Sequence, residues 1–370
     1  MKQENGSFSQ IVFNKLRKNT LGVLSFCVII IAAIISIFSY LFASDKTENA
    51  NRQDVTIAFA PIGYQQKTIE IPLPNYTGKT GFADYLFGKE IDSEQISITA
   101  TKINQDFVEY TPYLGNGLSG EPIKIATSTW TKHTIPFSEI EEEFVYTKTY
   151  LLGTDSYGRD FYSRLIIGTR ISFLIGFIAV FISLLVGVTL GAIAGYYKGK
   201  VDDFIMWLIN VVWSIPTLLL VIAITLAIGK GFWQIFIAVG LTMWVEVARV
   251  VRGQFLSYRE KEFVEAAKAL GFSDMRIIFN QILPNVVAPI IVISAANFAS
   301  AILVESGLSF LGIGAQPPTP SWGNIIKEHY SHIILGKQHL AIFPGLAIML
   351  LVLGFNIFGN VLRDIMDIKS

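Results

Sequence analysis

A chain of 370 residues would ordinarily suggest two or three soluble domains, but 52% of it is apolar and only 16% charged, with a mean hydropathy of +0.49. Soluble chains average roughly 25% charged residues, so a fold this size could not cover its surface, and most of the chain must face lipid. The same figures exclude a disordered chain, a coiled coil and a disulfide scaffold; the single cysteine, Cys27, lies in an apolar run and can form no internal disulfide.

The net charge is zero, but as the sum of two opposites. Residues 43–150 hold 9 Lys/Arg against 15 Asp/Glu, and the remainder holds 20 against 14. An acidic block inside a basic apolar chain reads as a separate domain on one side of a membrane. No basic stripe with interleaved aromatics lies outside the membrane-flanking loops, so nucleic acid is not an expected partner.

In chain order, the first charge-free apolar run is Leu21–Phe42, preceded by Lys15, Arg17 and Lys18. Its 22 residues exceed the 7–15 of a cleaved signal core and match the ~20 needed to span the bilayer, so it is read as an uncleaved anchor. The block 43–150 follows, with Thr/Ile/Val/Tyr stretches at Thr68–Leu73, Gln95–Ile103 and Pro122–Thr129 broken by Pro, Gly and Asn. These predict a small β-rich domain rather than a disordered loop. Gly153–Arg170 then brings Asp155, Arg159, Asp160, Arg164 and Arg170 together, with Gly153 and Gly158 supplying turns. The spacing predicts a mixed-charge elbow at the membrane surface, with bracing rather than chemistry as its role.

Further spans are expected between Arg170 and Lys198, between Asp203 and Lys230, from about Gly231 to Val251, between Arg276 and Glu305, and between Lys337 and Arg363. That makes six. Glu246 and Arg249 are three apart in the fourth and are expected to pair. Pro216, Asn210, Asn297, Asn356 and Asn360 are polar or helix-breaking groups at lipid depth, expected to face the bundle interior or a water-lined path. Gly191, Gly195, Gly307, Gly312 and Gly314 are read as close-packing positions. Glu305, with Ser306 and Ser309, sits where it either contacts a substrate ammonium or caps the turn "SGLSFLGIG".

Between the fourth and fifth spans lies "SYREKEFVEAAKALGFSDMRIIFNQILP" (Ser257–Pro284). Phe263, Ala266, Ala267 and Leu270 recur at helical spacing and predict one small apolar stripe. Gly271 can end that helix at positive φ, and Ser273 is expected to cap a second one, with Asp274 in its first turn. Bracketed by two spans, the amphipathic knob suits a partner's groove; an ordinary loop helix packing on its own bundle is the alternative. Lys/Arg bias places this loop inside, with Lys198, Lys200, Arg252, Arg259, Lys261, Lys268, Arg276, Arg363 and Lys369, against Lys230 alone in the short outer loop. Both termini are therefore expected in the cytoplasm, and the acidic block outside.

Glu265-Ala266-Ala267, Gly271 and Leu283-Pro284 resemble the "EAA…G…LP" loop of ABC-importer permease subunits. "GTDSYGRDFYSRLIIGTRISF" (Gly153–Phe173), "ESGLSFLGIGAQPPTPSWG" (Glu305–Gly323) and "PGLAIMLLVLGFNIFGNVLRDIMD" (Pro344–Asp367) look specifically like the C-type permease of oligopeptide, dipeptide and nickel importers, and Trp244, Ala248, Arg249 and Arg252 suit the same pattern. The likeness is loose over residues 1–42 and close over 151–370. Gln281, Asn360 and Ile368 stand where that subfamily commonly has His, Asp and Pro, and the outer block is longer than its usual loop.

The runs and strand stretches, with the resemblance, lead to the expectation of an all-α polytopic bacterial inner-membrane protein of six helices with an inserted β-rich extracytoplasmic domain, the insert being read from the residues and not from the family. Its parts are 1–42, 43–150 and a five-helix core 151–370 carrying the coupling loop 252–284. The resemblance implies a permease forming half of a path for peptides or peptide-like solutes. The partners implied are two nucleotide-binding ATPase subunits, which would carry ATP-Mg, a B-type permease, and an extracytoplasmic substrate-binding protein. The chain carries no GxxxxGK[ST] phosphate loop, so hydrolysis is expected elsewhere; no cofactor or catalytic residue is expected in it. His133, His329, His332 and His339 lack zinc-ligand spacing, and no metal site is expected. The competing readings are an ion-gradient-driven secondary transporter, which would need intramembrane carboxylates beyond Glu246 and Glu305 or inverted repeats, and a non-transporting anchor for the outer domain.

Overall fold

The computed structural model describes residues 8–78, 81–229 and 232–367. Lys230, Gly231, Ile368 and Lys369, invoked above, lie outside the described residues. The first apolar run, Leu21–Phe42, divides into two helices, and another helix precedes it. α1 (Phe8–Lys18) is separated from α2 (Thr20–Ile37) by Asn19, whose side chain accepts the Gly22 N–H at 2.9 Å and caps α2. α2 ends at Ile37, and α3 (Ser39–Phe42) is a further turn. Only Gly22, Ser25 and Ser36 of α2 are buried, so it flanks the bundle rather than filling it.

The acidic block holds an antiparallel sheet of β1 (Tyr64–Pro72), β2 (Ser93–Ile103), β3 (Phe107–Gly115), β4 (Leu118–Ser119), β5 (Ile123–Ala126) and β6 (Val145–Tyr150), with α4 (Phe82–Phe87), α5 (Ser128–Thr131) and α6 (Ile140–Phe144) between strands. The order is β4-β3-β2-β1-β6, with β5 on β3. Register pairs Ile69 with Ile96 and Gln66 with Lys148. One face buries Ile69, Ile71, Ile98, Val108 and Tyr110 under Trp130, Ile140 and Phe144, and the Trp130 indole N–H is held by the Glu70 carbonyl at 3.1 Å. The expected strands are present as β1, β2 and β5; β3, β4 and β6 are additional. Pro122–Thr129 turns out to contribute four strand residues and then enters α5.

The remaining elements are α7 (Phe161–Tyr197), α8 (Gly199–Trp213), α9 (Thr217–Ile228), α10 (Phe232–Arg259), α11 (Glu262–Ala269), α12 (Asp274–Ile277), a π-turn Ile278–Ile282, α13 (Leu283–Phe310), α14 (Trp322–His329) and α15 (His339–Asp367). Among the described residues, α2, α7, α10, the stretch Asp274–Phe310 and α15 are long and apolar enough to cross a membrane. The expected third span is instead α8 and α9, bent by 93°. Pro216 is the reason: it lacks the N–H that would continue the helix, and it holds extended backbone (ψ 125°) between the two segments. The pair makes a sixth crossing only as a broken span.

α7 and α10 pack closest. A Cβ at Gly187, Gly191 or Gly195 would stand 2.7, 2.5 or 2.8 Å from the carbonyl oxygens of Trp244, Ala248 and Arg252. These positions are four apart, so one face of α7 is bare backbone against α10, the contact small residues permit within membranes. Gly191→Leu has no space to occupy. Overpacking costs about 1–3 kcal/mol even where a site adapts, and here backbone must move. The variant is expected to lose its monodisperse elution at a lower temperature than the parent; an unchanged thermal profile would count against this contact.

Candidate functional site

Two residue clusters lie at opposite ends of α7, about 55 Å apart at 1.5 Å per residue. The first is the elbow before α7. Asp155, Arg159, Asp160 and Arg164 are all buried. The Asp155 carboxylate accepts the Arg159 Nε–H at 2.6 Å and the backbone N–H groups of Tyr157 and Arg159 at 2.8 and 3.0 Å. Arg159 also reaches Glu328 on α14 at 2.8 Å, and Arg164 lies 3.7 Å from both carboxylates. Two guanidiniums thus share two carboxylates. Glu328 has no sequence signal, because 164 residues separate it from the nearer arginine. Arg170 is not in the cluster: it bonds the Leu86 carbonyl and stacks on Phe87 and Tyr40.

Residues 45–61 wrap this elbow. Asp45 N–H donates to Ser163 Oγ at 2.9 Å, and the Thr154 hydroxyl lies between Ile57 and Ala60. Gly158 has φ +70°, and a Cβ there would fall 1.7 Å from the Asp54 carbonyl, so only glycine lets the two backbones meet. Gly153 faces Ala60 in the same way. Asp160 caps α7 by accepting the Ser163 N–H at 3.2 Å; burial pushes its carboxyl up, against the pull of Lys148.

The Glu305–Gly323 motif closes the same end. Glu305 is fully buried and accepts the Ser309 hydroxyl at 2.7 Å, and Ser309 Oγ lies 3.2 Å from Ser321 Oγ, which caps α14 through Asn324 N–H. Glu305 thus links α13 to the cap of α14 through the hydroxyls of Ser309 and Ser321. Ser306 adjoins Glu305 in the chain, and Gly312 turns at φ +81°.

Carboxylate oxygens of Asp155 and Glu328 and a ring nitrogen of His329 lie within 4.8 Å of one another. Arg159 and Arg164 already compensate both carboxylates, so a dication would meet two buried positive charges, and the cluster is an ion-pair network. His329 is buried, its Nδ1 is 2.8 Å from the Ile325 carbonyl, and burial pushes its pKa down. Its ring centroid lies 6.0 Å from that of His332.

The second cluster is the knob. Gly271 ends α11 at φ +75°. Ser273 holds the cap position but makes no side-chain cap bond; Asp274 instead accepts the Tyr196 hydroxyl at 2.6 Å, tying α12 to the end of α7. The expected apolar stripe divides. Ala267 and Val264 are buried in a core shared with Val251, Phe255, Ile277 and Ile282, whereas Phe263, Ala266 and Leu270 are exposed. Glu265 and Pro284 are also exposed, and Leu283 packs against that core.

Along α10, the expected Glu246–Arg249 pair is absent among the described residues. Glu246 is exposed, and the Arg249 guanidinium stacks 3.6 Å from the Trp213 ring centroid and bonds Asn210 at 3.3 Å. The bend at Pro216 brings Trp213 there, which helical spacing within one span could not indicate. Arg252 pairs with Asp202 at 2.6 Å. A cleft of 520 Å³ lies between α10, α13 and α15, lined by Gln254, Tyr258, Asn285, Asn356, Asn360 and Arg363 among others. Two of the asparagines singled out in the sequence thus line a cavity; Asn297 is buried elsewhere, its amide without a partner among the described residues.

The family described as binding-protein-dependent transport system inner membrane component matches residues 187–369. The N-terminal transmembrane domain of oligopeptide transport permease C matches residues 7–61, so the sheet lies between the two matches. The glutathione transport system permease protein GsiD of Pectobacterium atrosepticum is 39% identical over 252 residues, covering 66% of this chain and 83% of that protein. This chain is an ABC-importer permease of the C-type peptide family. The dipeptide transport system permease protein DppC of Alkalihalophilus pseudofirmus is 43% identical over 217 residues, 59% of the permease and 71% of that protein. A chain of the inward-facing MetNI methionine ABC transporter overlays with a TM-score of 0.46 at 17% identity, covering 56% of the permease and 97% of that chain. The permease is a multi-pass inner-membrane protein of a family whose members are transport components and not themselves catalytic.

The ion-pair network gives a direct expectation. Asp155→Asn would leave two buried guanidiniums facing one carboxylate, a loss worth about 3–5 kcal/mol when a buried pair is broken. Thermal unfolding of the purified permease should show a large drop, and Glu328→Gln, at a partly exposed position, a smaller one. Equal and negligible effects would contradict the assignment.

Proposed function

We propose that the permease imports peptides or peptide-like solutes, with α11 and α12 as the surface that docks an ATP-hydrolysing subunit. One observation carries this reading: Phe263, Ala266 and Leu270, joined by Met275 and Phe279, are exposed apolar groups on a segment whose other face is locked into the bundle core. Glu265, Gly271, Leu283 and Pro284 shape the same knob. Closure of two ATPase subunits moves it, and α10 and α13, continuous with it, transmit that motion to the bundle. The peptide and glutathione systems of the relatives' names support the cargo class. The cleft lined by Asn356, Asn360 and Gln254 is a candidate part of the path, completed by a B-type permease.

In this reading, both termini and the knob are cytoplasmic, supported by the Lys/Arg bias of those loops, and the sheet domain of the 43–150 block is extracytoplasmic. There it meets the substrate-binding protein or braces the partner permease. The elbow residues Gly153, Asp155, Gly158, Arg159, Asp160 and Arg164, with Glu305, Ser306 and Gly312, stiffen the outer end, and Arg249 and Arg252 fix the bent pair against α10.

Ala266→Trp and Ala267→Trp separate docking from folding. The first enlarges the exposed face: transport and ATPase stimulation should fall while thermal stability of the purified permease is kept. The second overfills the core and should lower stability by about 1–3 kcal/mol. Full transport by Ala266→Trp would refute the docking surface. Orientation is tested in a Cys27→Ala chain. Cysteine at Asn116 should react with an impermeant maleimide on spheroplasts, and cysteine at Ser257 should not; the reverse pattern inverts the topology.

A further inference from the structure

The inserted block carries a short apolar helix that stands outside the core of its sheet. α4 presents Phe82 and Phe87 to the surface at 79% and 65% exposure. Asp84 fixes its first turn by accepting the Gly81 N–H at 2.7 Å. Exposed phenylalanines alone say little. Their depth says more.

α4 packs on α3 at the end of the first span. It is tied to α7 by Arg170, which donates to the Leu86 carbonyl and lies 5.5 Å from the Phe87 ring centroid. Arg170 is the tenth residue of α7 and the last charge before 27 uncharged residues, which sets it at the edge of the hydrocarbon layer. An apolar groove of 230 Å³ between Ile31, Ile34, Ile35 and Phe42 on one side and Tyr162 and Ile166 on the other reaches further out along α7 than Arg170. Leu41 and Phe42 beside it are exposed. α4 is therefore held level with surfaces that already face lipid.

We propose that Phe82–Phe87 is a lipid wedge that inserts Phe82 and Phe87 into the adjacent leaflet and pins the sheet domain to the bilayer surface. Short apolar faces of this kind bury about 5–10 Å into the headgroup boundary. Lys46, over the Tyr85 ring at 5.7 Å, places a cation beside the wedge, the sign that anionic headgroups attract, while Lys89 is paired with Asp92 at 2.7 Å. Lipid is the occupant because the exposed rings continue the lipid-facing surface of the first span.

The test uses the full chain in its assembled complex, Cys27→Ala, in phosphatidylethanolamine/phosphatidylglycerol vesicles. Nitroxides are attached to Phe82→Cys and Phe87→Cys, with Leu41→Cys as the lipid reference and Asn116→Cys as the water reference. Relaxation by oxygen against a nickel chelate reports depth. The wedge predicts oxygen-to-nickel ratios near those of Leu41 and several-fold above those of Asn116. Ratios like those of Asn116 overturn it, as does exclusion of both reagents, which would place a protein over α4. On α4 Arg170 meets the Leu86 carbonyl and the Phe87 ring, so the label at Phe82 gives a reading at a position other than these two. The two references fail to separate only if the membrane reading itself is wrong.

Discussion

The close contact of α7 with α10 is the constraint on which the rest of the permease depends. Gly187, Gly191 and Gly195 bring the α7 backbone against the carbonyls of Trp244, Ala248 and Arg252. In lipid there is little hydrophobic drive between helices, so contact distance decides how well they pack. The C-terminal part of α10 is fixed by this contact, and it enters the same core as Val264, Ala267, Ile277 and Ile282. The knob therefore has no independent position: a shift of α11 must move α10 against α7 or break their contact.

The other end of α7 is held by charge. Arg159 and Arg164 are buried and would be costly alone, but they share Asp155 and Glu328, and each added bond ties another segment. Arg159 approaches Asn51, and Arg164 approaches the carbonyls of Asn49 and Pro318. Three stretches distant in sequence thus meet at one neutral cluster. A buried network of this kind is worth more as a geometric lock than as net stability. The lock and the glycine contact sit at opposite ends of one helix, so α7 serves as the fixed strut of the bundle.

The bent pair α8–α9 stands outside that strut. Arg249 over Trp213 and Arg252 on Asp202 fasten its first half to α10, while α9 packs by Val221 and Ile222 on Ile235 and Val239. Arg249 gains a ring face and an amide in place of the carboxylate that helical spacing would have offered it. An arginine is suited to this, because its planar cation stacks as well as pairs.

The sequence by itself determined the membrane class, the number of apolar runs, the β character of the acidic block and the positions of the motif residues, because these follow from local quantities: charge density, run length, period and turn residues. Asp155, Arg159 and Arg164 are close in sequence, and their clustering was legible for that reason, whereas Asp160 beside them caps α7 instead of joining the ion pairs. Glu328 was not, since nothing local marks a carboxylate as the partner of an arginine on another element. The stripe of α11 shows the same limit: spacing placed Phe263, Ala266, Ala267 and Leu270 together, but only packing decided that Ala267 turns inward with Val264 while the others face out. Pro216 announced a break, yet the 93° angle and the partner it gave Arg249 came from how α8 and α9 meet α10. Periodicity assigns a residue to a face; which face finds a neighbour is settled by contacts between segments far apart in the chain.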